Sequence, residues 1–230
     1  MNSTHLPAEE FAGGRPTVAD ATTATLQSAP GPRKLRKRIA ISAVIVVPVA
    51  VLASLSIPKV APESPSAIFL ECLGWALFCL YAFIRFWSTM YIGSRKTREL
   101  QTNGPYSICR NPLYLGSFCF ALAVVVFLTS LTLLATVVVV GMIYLFNVIP
   151  REEFLLRAKF GVEFDRYAAQ TPRLLPRLSL YRAGESVNVI LKGMRREARW
   201  QLRSLLLMLL IAALWHLRYQ PWWPHYFDLP

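Results

Sequence analysis

The chain has few acidic residues and few of the residues that build metal sites or disulfide frameworks. Asp and Glu number 13 against 25 Lys and Arg, giving a formal net charge of +12 over 230 residues. The four cysteines, Cys72, Cys79, Cys109 and Cys119, contain no C-x-x-C pair, so neither a zinc site nor a disulfide scaffold is indicated. His5, His216 and His225 are too scattered to form a local metal cluster, and no metal is expected. A secretory leader is also missing from the pattern, because the basic cluster and first apolar run begin too late and lack a cleavage site.

Apolar blocks dominate what is present. Hydrophobic residues make up 54% of the chain and its mean hydropathy is +0.40, concentrated in a few runs, which points to a bilayer rather than a water-soluble core. The positive charge sits beside those runs: Arg33, Lys34, Arg36, Lys37 and Arg38 before the first, Arg95, Lys96, Arg98 and Arg110 between the second and third, and a large group from Arg151 to Arg199 after the fourth. Such placement suits cytoplasmic loops touching anionic lipids and argues against nucleic acid as a partner.

The expected fold is all-α, a polytopic integral membrane protein with about five transmembrane helices and cytoplasmic amphipathic helices. Residues 1–32, rich in Ala, Thr, Pro and Gly, read as a disordered cytoplasmic tail, and 33–230 as one membrane-embedded domain. The spans are expected near 39–57 (with Pro48 inside), 66–87, 113–128, 131–149 and 202–217, with a tight turn at Thr129-Ser130. Pro150 should end the fourth or bend it into a cytoplasmic helix. Aromatics from Trp215 to Tyr226 should form an interfacial belt. Glu71 and Arg85 lie towards opposite ends of the second span; Glu71 either faces the bundle interior or, the favoured reading, is near enough to the first turn to reach the interface. The N-terminus and the segments 88–112 and 150–201 then share the cytoplasmic side.

One of those segments is unusually ordered. Residues 103–116 hold Gly104, Pro105, Tyr106, Arg110, Asn111, Pro112, Tyr114 and Gly116 between two apolar runs, and Arg151-Glu152-Glu153 follows the next two. Arg110 stays charged and its planar fork suits a carboxylate. Tyr106 and Tyr114 offer aromatic surface and hydroxyls. Glu152 and Glu153 point in different directions on a helix, so one is free to hold a ligand's hydroxyls or amine while the other orients Arg110 or Arg151. The plain alternative is an interfacial turn, with Arg110 on a headgroup, the tyrosines as anchors and the glutamates solvated at a helix end.

The run Gly104 to Gly116 resembles the G-x-Y-x-x-x-R-H-P-x-Y-x-G signature of the isoprenylcysteine carboxyl methyltransferase and phospholipid methyltransferase group. Glu152-Glu153-Phe154-Leu155, Phe160-Gly161-x-x-Phe164-x-x-Tyr167 and Arg173-Leu174-Leu175-Pro176 are similar to that group's later motifs, so the resemblance covers about residues 68–178. It implies a cytosol-facing pocket for S-adenosyl-L-methionine and a lipid-accessible pocket for a lipophilic acceptor. It places Tyr106, Arg110, Asn111, Pro112, Tyr114, Glu152 and Glu153 near the cofactor, and Arg110, Asn147, Arg151 and Glu153 as candidates for catalysis and acceptor orientation.

Asn111 departs from the pattern, where His is usual. Asn donates and accepts hydrogen bonds but does not titrate near neutral pH. A carboxylate acceptor is already nucleophilic and needs no base, so the implied reaction is carboxyl O-methylation of an isoprenylcysteine or related small carboxylate. A phospholipid amine N-methyltransferase, a membrane sterol-type reductase and a non-enzymatic membrane binding or scaffold protein are the alternatives. Oligomeric state is not legible.

Overall fold

A computed structural model describes residues 44–58, 60–61, 64–92, 99–184 and 191–226. The expected tail at 1–32, the basic cluster at 33–38, the start of the first span and the basic residues at 95–98 lie outside these, as does the expected beginning of the second amphipathic segment at 186–190. The described residues are helical, with no strand among them. They form α1 (Val44–Ser54), α2 (Pro65–Ile92), the short α3 (Pro105–Ile108), α4 (Pro112–Leu128), α5 (Leu131–Ile143), α6 (Ile149–Phe160), α7 (Val162–Gln170) and α8 (Leu191–Leu217).

Three helices are long and apolar enough to cross a membrane: Pro65–Ile92, Leu131–Phe160 and Gly193–Leu217. Val44–Ser54 and Pro112–Leu128 are apolar but shorter. At about 1.5 Å of rise per residue, the 17 residues of α4 fall a little short of the hydrocarbon thickness. Val137 to Val140 would favour a strand in water, yet they sit in α5. A lone span in lipid must satisfy its backbone internally, which selects the helix and leaves Val138, Val139, Met142 and Ile143 exposed on its surface.

Thr129-Ser130 makes the turn between α4 and α5. Thr129 adopts a left-handed conformation (φ 46°) and the Ser130 side chain accepts from the Leu133 N–H at 3.3 Å, capping α5. Beyond α5 the helix does not stop at Pro150. Tyr144–Val148 widens into a π turn, which absorbs the proline at the start of α6 and keeps one rod running from Leu131 to Phe160.

α2 is the hub, packing on α4 and α8. Gly116 of α4 lets the helices close: a Cβ there would lie 2.9 Å from Arg85 Cγ. Trp75, Phe78, Tyr81, Phe120 and Phe127 interleave at ring separations of 4.9–6.2 Å. Antiparallel α8 meets α2 at three polar rungs: Glu71 with His216 at 3.5 Å, Tyr81 with Ser204 at 2.7 Å, and Arg85 with Glu197 at 2.8 Å. The Glu71 side chain is about one-third exposed (35%) and spans to a neighbouring helix as it does so.

The end of the bundle near the α4–α5 turn is fastened by Arg218, which is 1% exposed. Its guanidinium donates to Leu128 O (2.9 Å), Ser56 O (3.0 Å) and Ser56 Oγ (3.3 Å). Tyr219 donates to Val60 O, the Trp223 indole to Ser54 O and the Tyr226 amide to Leu55 O, so the aromatic segment after α8 folds back over the end of α1.

Candidate active site

The opposite end of α4 carries the ordered segment. Gly104 has φ +60°, and a side chain there would also collide with the Tyr91 ring of α2, so glycine is required twice over. Its N–H donates to Arg182 O at 2.8 Å, while Ser107 Oγ accepts from the Arg182 N–H at 3.0 Å. Arg110 N–H donates to Pro172 O and Arg177 N–H to Ile108 O, both at 2.9 Å. The stretch after α7 is thereby laced along the connector that enters α4. Cys109 is fully buried in this seam and donates to Leu174 O at 3.1 Å. Burial pushes its thiol up to about 11, against the pull of the Asn111 backbone and Arg110.

Glu153 is the keystone. It is 7% exposed, and three side chains converge on its carboxylate. Arg173 donates to Oε2 through Nε (3.1 Å) and Nη2 (2.9 Å), Arg110 Nε lies 3.1 Å from Oε1, and Asn111 Nδ2 is 3.4 Å from Oε1. Arg110 Nη1 also donates to Ala168 O at 2.7 Å. Asn111 precedes α4 without capping it; its amide instead donates to Arg173 O at 3.0 Å. Pro112 begins α4, where its missing N–H costs no intrahelical bond.

Glu152 faces differently. Tyr114 donates to its Oε1 at 2.9 Å, and the Tyr114 and Tyr144 rings meet edge-on at 5.8 Å. Tyr167 donates to the Tyr106 carbonyl at 2.7 Å. Burial holds the phenols of Tyr106 and Tyr167 well above their ordinary range, so both stay protonated as donors.

The structure therefore brings together Arg110, Asn111, Pro112, Tyr114, Glu152 and Glu153, with the Tyr106 backbone alongside. Asn147, in the π turn, and Arg151 are exposed and take no part in this network. Arg173 joins it although only the R-x-x-P pattern pointed to that segment. The Arg85–Glu197 pair was foreshadowed by a single sign, an arginine inside an apolar span.

A family model for phospholipid methyltransferases matches residues 69–163, from the second turn of α2 through α6. The nickel-cobalt-cadmium resistance protein NccN of Alcaligenes xylosoxydans xylosoxydans is 35% identical over 146 residues, covering 64% of this chain and 68% of that protein. The chain belongs to the phospholipid methyltransferase family. The cobalt-zinc-cadmium resistance protein CzcN of Cupriavidus metallidurans (strain ATCC 43123 / DSM 2839 / NBRC 102507 / CH34) is likewise similar, 35% identical over 134 residues, 58% of this chain and 60% of that one. No solved structure matches the chain. The stretch shared with this methyltransferase family includes the Arg110–Tyr114 segment and both glutamates, whereas Arg173 lies beyond it.

The residues present fit the cofactor that such methyltransferases generally use. Arg110 Nε is buried with an ion-pair contact but no aligned hydrogen bond, which leaves an N–H for a further acceptor such as a carboxylate. Arg173, with its side chain 42% exposed, offers a second guanidinium edge. Glu152, half-buried, offers acceptor oxygens for hydroxyls or an ammonium.

Proposed function

We propose that the protein is an integral membrane methyltransferase that uses S-adenosyl-L-methionine to methylate a lipophilic acceptor dissolved in the bilayer. The cofactor site and N-terminus face the cytoplasm and about five helices embed the domain. The cofactor, when bound, supplies a methyl group already activated on a sulfonium. The chain's own work is then to grip, align and exclude water. Arg110 and Arg173 hold the cofactor's carboxylate, Glu152 its ammonium or ribose hydroxyls, and Tyr114 lends its ring, while Glu153 and Asn111 fix the two guanidiniums. Asn147 and Arg151, at the outer edge of the π turn and α6, orient the acceptor's head.

The observation that carries this reading is the saturation of Glu153. Both oxygens of Glu153 are taken up by Arg110, Arg173 and Asn111, and the family's usual His is absent, so an acceptor that needs no general base fits best. Carboxyl O-methylation of an isoprenylcysteine or related small carboxylate is the leading reaction. A phospholipid amine is the second reading, favoured by Glu152, whose carboxylate is reached by Tyr114 alone among the described residues and is available to relay a proton.

The relatives are named for metal resistance. The described residues hold no group of three or more His, Cys, Asp or Glu able to take a metal ion.

Titration of the purified full chain with S-adenosylhomocysteine tests the reading. Micromolar-range binding is expected, lost at least tenfold in Glu153→Gln and Arg110→Ala. A folded parent protein that binds neither S-adenosylmethionine nor S-adenosylhomocysteine would end the methyltransferase proposal.

A further inference from the structure

One helical turn further into α4 than the cofactor cradle lies a second polar layer. Arg85 of α2 donates to both oxygens of Glu197 of α8, through Nε at 2.8 Å and Nη2 at 3.2 Å. Its Nη1 has only a long contact, 3.5 Å, to Ser117 Oγ of α4. Gln201, one turn along α8, donates from Nε2 to Glu197 Oε1 at 3.2 Å. That bond fixes the amide's orientation, because the flipped form would set two acceptors against each other. The layer lies about two turns inside the end of α2, among apolar neighbours, where charged groups are costly and their presence signals a task.

Two atoms of this layer are unfinished. Gln201 Oε1 and Tyr106 Oη are buried and have no hydrogen-bond partner. Tyr106 as a residue is 6% exposed, in the short α3 that packs on α2. Leaving such atoms unpaired is costly, and a latch between α2 and α8 has no reason to incur that cost. The Arg85–Glu197 ion pair alone would make the latch.

The unmet valences define a ligand. Gln201 Oε1 requires a donor. Arg85 Nη1, with Tyr106 Oη, offers donors to an anionic oxygen. We infer that Arg85, Tyr106, Ser117, Glu197 and Gln201 form an intramembrane subsite for the head of the methyl acceptor, one carrying an anionic oxygen next to an N–H donor. Both an N-acylated prenylcysteine, with its carboxylate and amide N–H, and an aminophospholipid, with its phosphate and ammonium, present that pair. The inference rests on the methyltransferase reading for the word acceptor, but not for the binding itself. Tyr106 joins the layers: its carbonyl takes the Tyr167 hydroxyl on the cofactor side, while its own hydroxyl serves this one.

The test is lipid binding to the detergent-purified full chain, followed by native mass spectrometry. The probes are phosphatidylethanolamine, an N-acetyl S-prenylcysteine, and phosphatidylglycerol, which has the anionic oxygen without the N–H. The parent is expected to prefer at least one N–H-bearing probe over phosphatidylglycerol by five-fold or more, and which one it prefers identifies the source. Gln201→Leu removes the unpaired acceptor and should erase that preference while leaving the melting temperature and S-adenosylhomocysteine affinity near the parent's. Tyr106→Phe removes an unpaired hydroxyl and should weaken all three probes without destabilising the fold. A preference that persists within two-fold in Gln201→Leu, or a parent with no preference, overturns the subsite. Loss of S-adenosylhomocysteine binding with the lipid preference intact overturns the methyltransferase reading and leaves the subsite standing.

Discussion

Arg110 and Arg218 are buried at opposite ends of α4 and are held in opposite ways. Arg110 faces a carboxylate shared with a second arginine; in both Arg110 and Arg218 Nε is left without an aligned hydrogen bond. Arg218 has no carboxylate partner among the described residues; it grips backbone carbonyls at the ends of α4 and α1 and the Ser56 hydroxyl. A guanidinium bound to carbonyls at a helix C-terminus answers orphan acceptors and the negative end of the dipole, a fixed assignment. A guanidinium sharing an anion can rearrange when a second anion arrives. The difference separates a clamp from a site.

The sharpest break of that comparison is Arg218→Met. Several buried acceptors would lose their donor at about 1–3 kcal/mol each, so a total loss of about 3–5 kcal/mol is expected in thermal unfolding, with normal S-adenosylhomocysteine affinity in the fraction that folds. Glu153→Gln should do the reverse. Its neutral amide still accepts one hydrogen bond, so the stability loss should be nearer about 2 kcal/mol, while ligand affinity falls at least tenfold. Equal effects of the two variants on calorimetric binding would erase the distinction between clamp and site.

Cys109 sharpens the site side more gently. Cys109→Ser keeps a donor for Leu174 O and should change stability by within about 1 kcal/mol, with binding intact. The pH dependence is more telling. The folded thiol titrates at about 11, above its ordinary 9.0, so the fold favours the protonated form. That contribution is full below about pH 9 and fades as pH rises through about 11; Cys109→Ser should remove this alkaline loss from a stability–pH profile. The smallest expected effect is at the clamp end. Thr129 is a β-branched residue in the left-handed region, and Thr129→Gly should raise stability by about 0.5–1 kcal/mol, read as a higher melting temperature.

Much of this was legible in the sequence because the bilayer narrows the choices. Thr129-Ser130 stood out as the one pair of adjacent hydroxyl residues in a long apolar run, and the structure turns there. Arg110, Tyr114 and the two glutamates were readable as neighbours because a hairpin of two helices returns the chain to its starting side. Arg173 was harder: it arrives along an irregular stretch whose path depends on backbone bonds to Arg110 and Ile108, which no periodicity announces. Pro150 left two outcomes open, an end or a continuation into a further helix, and the structure takes the second, with a π turn carrying the chain past the proline. Arg218 was not singled out by any sequence pattern. Its burial follows from α1 and α4 ending beside it, a three-body coincidence that local patterns do not encode.

The π turn has a further consequence, best put in terms of phase. A π turn is an α-helix carrying about one extra residue, and each residue advances the helix by about 100°. The wide turn at Tyr144–Val148 takes up that residue locally, so the helix beyond it, with Glu152 and Glu153, keeps the phase of an uninterrupted α-helix one residue shorter. Forcing Tyr144–Val148 into regular α-helix with all its residues kept would instead swing both glutamates by about 100° away from Arg110 and Tyr114, with the apolar span almost unchanged. A membrane anchor would survive that change without notice, whereas the meeting of the two glutamates with Arg110 and Tyr114 depends on the turn staying wide.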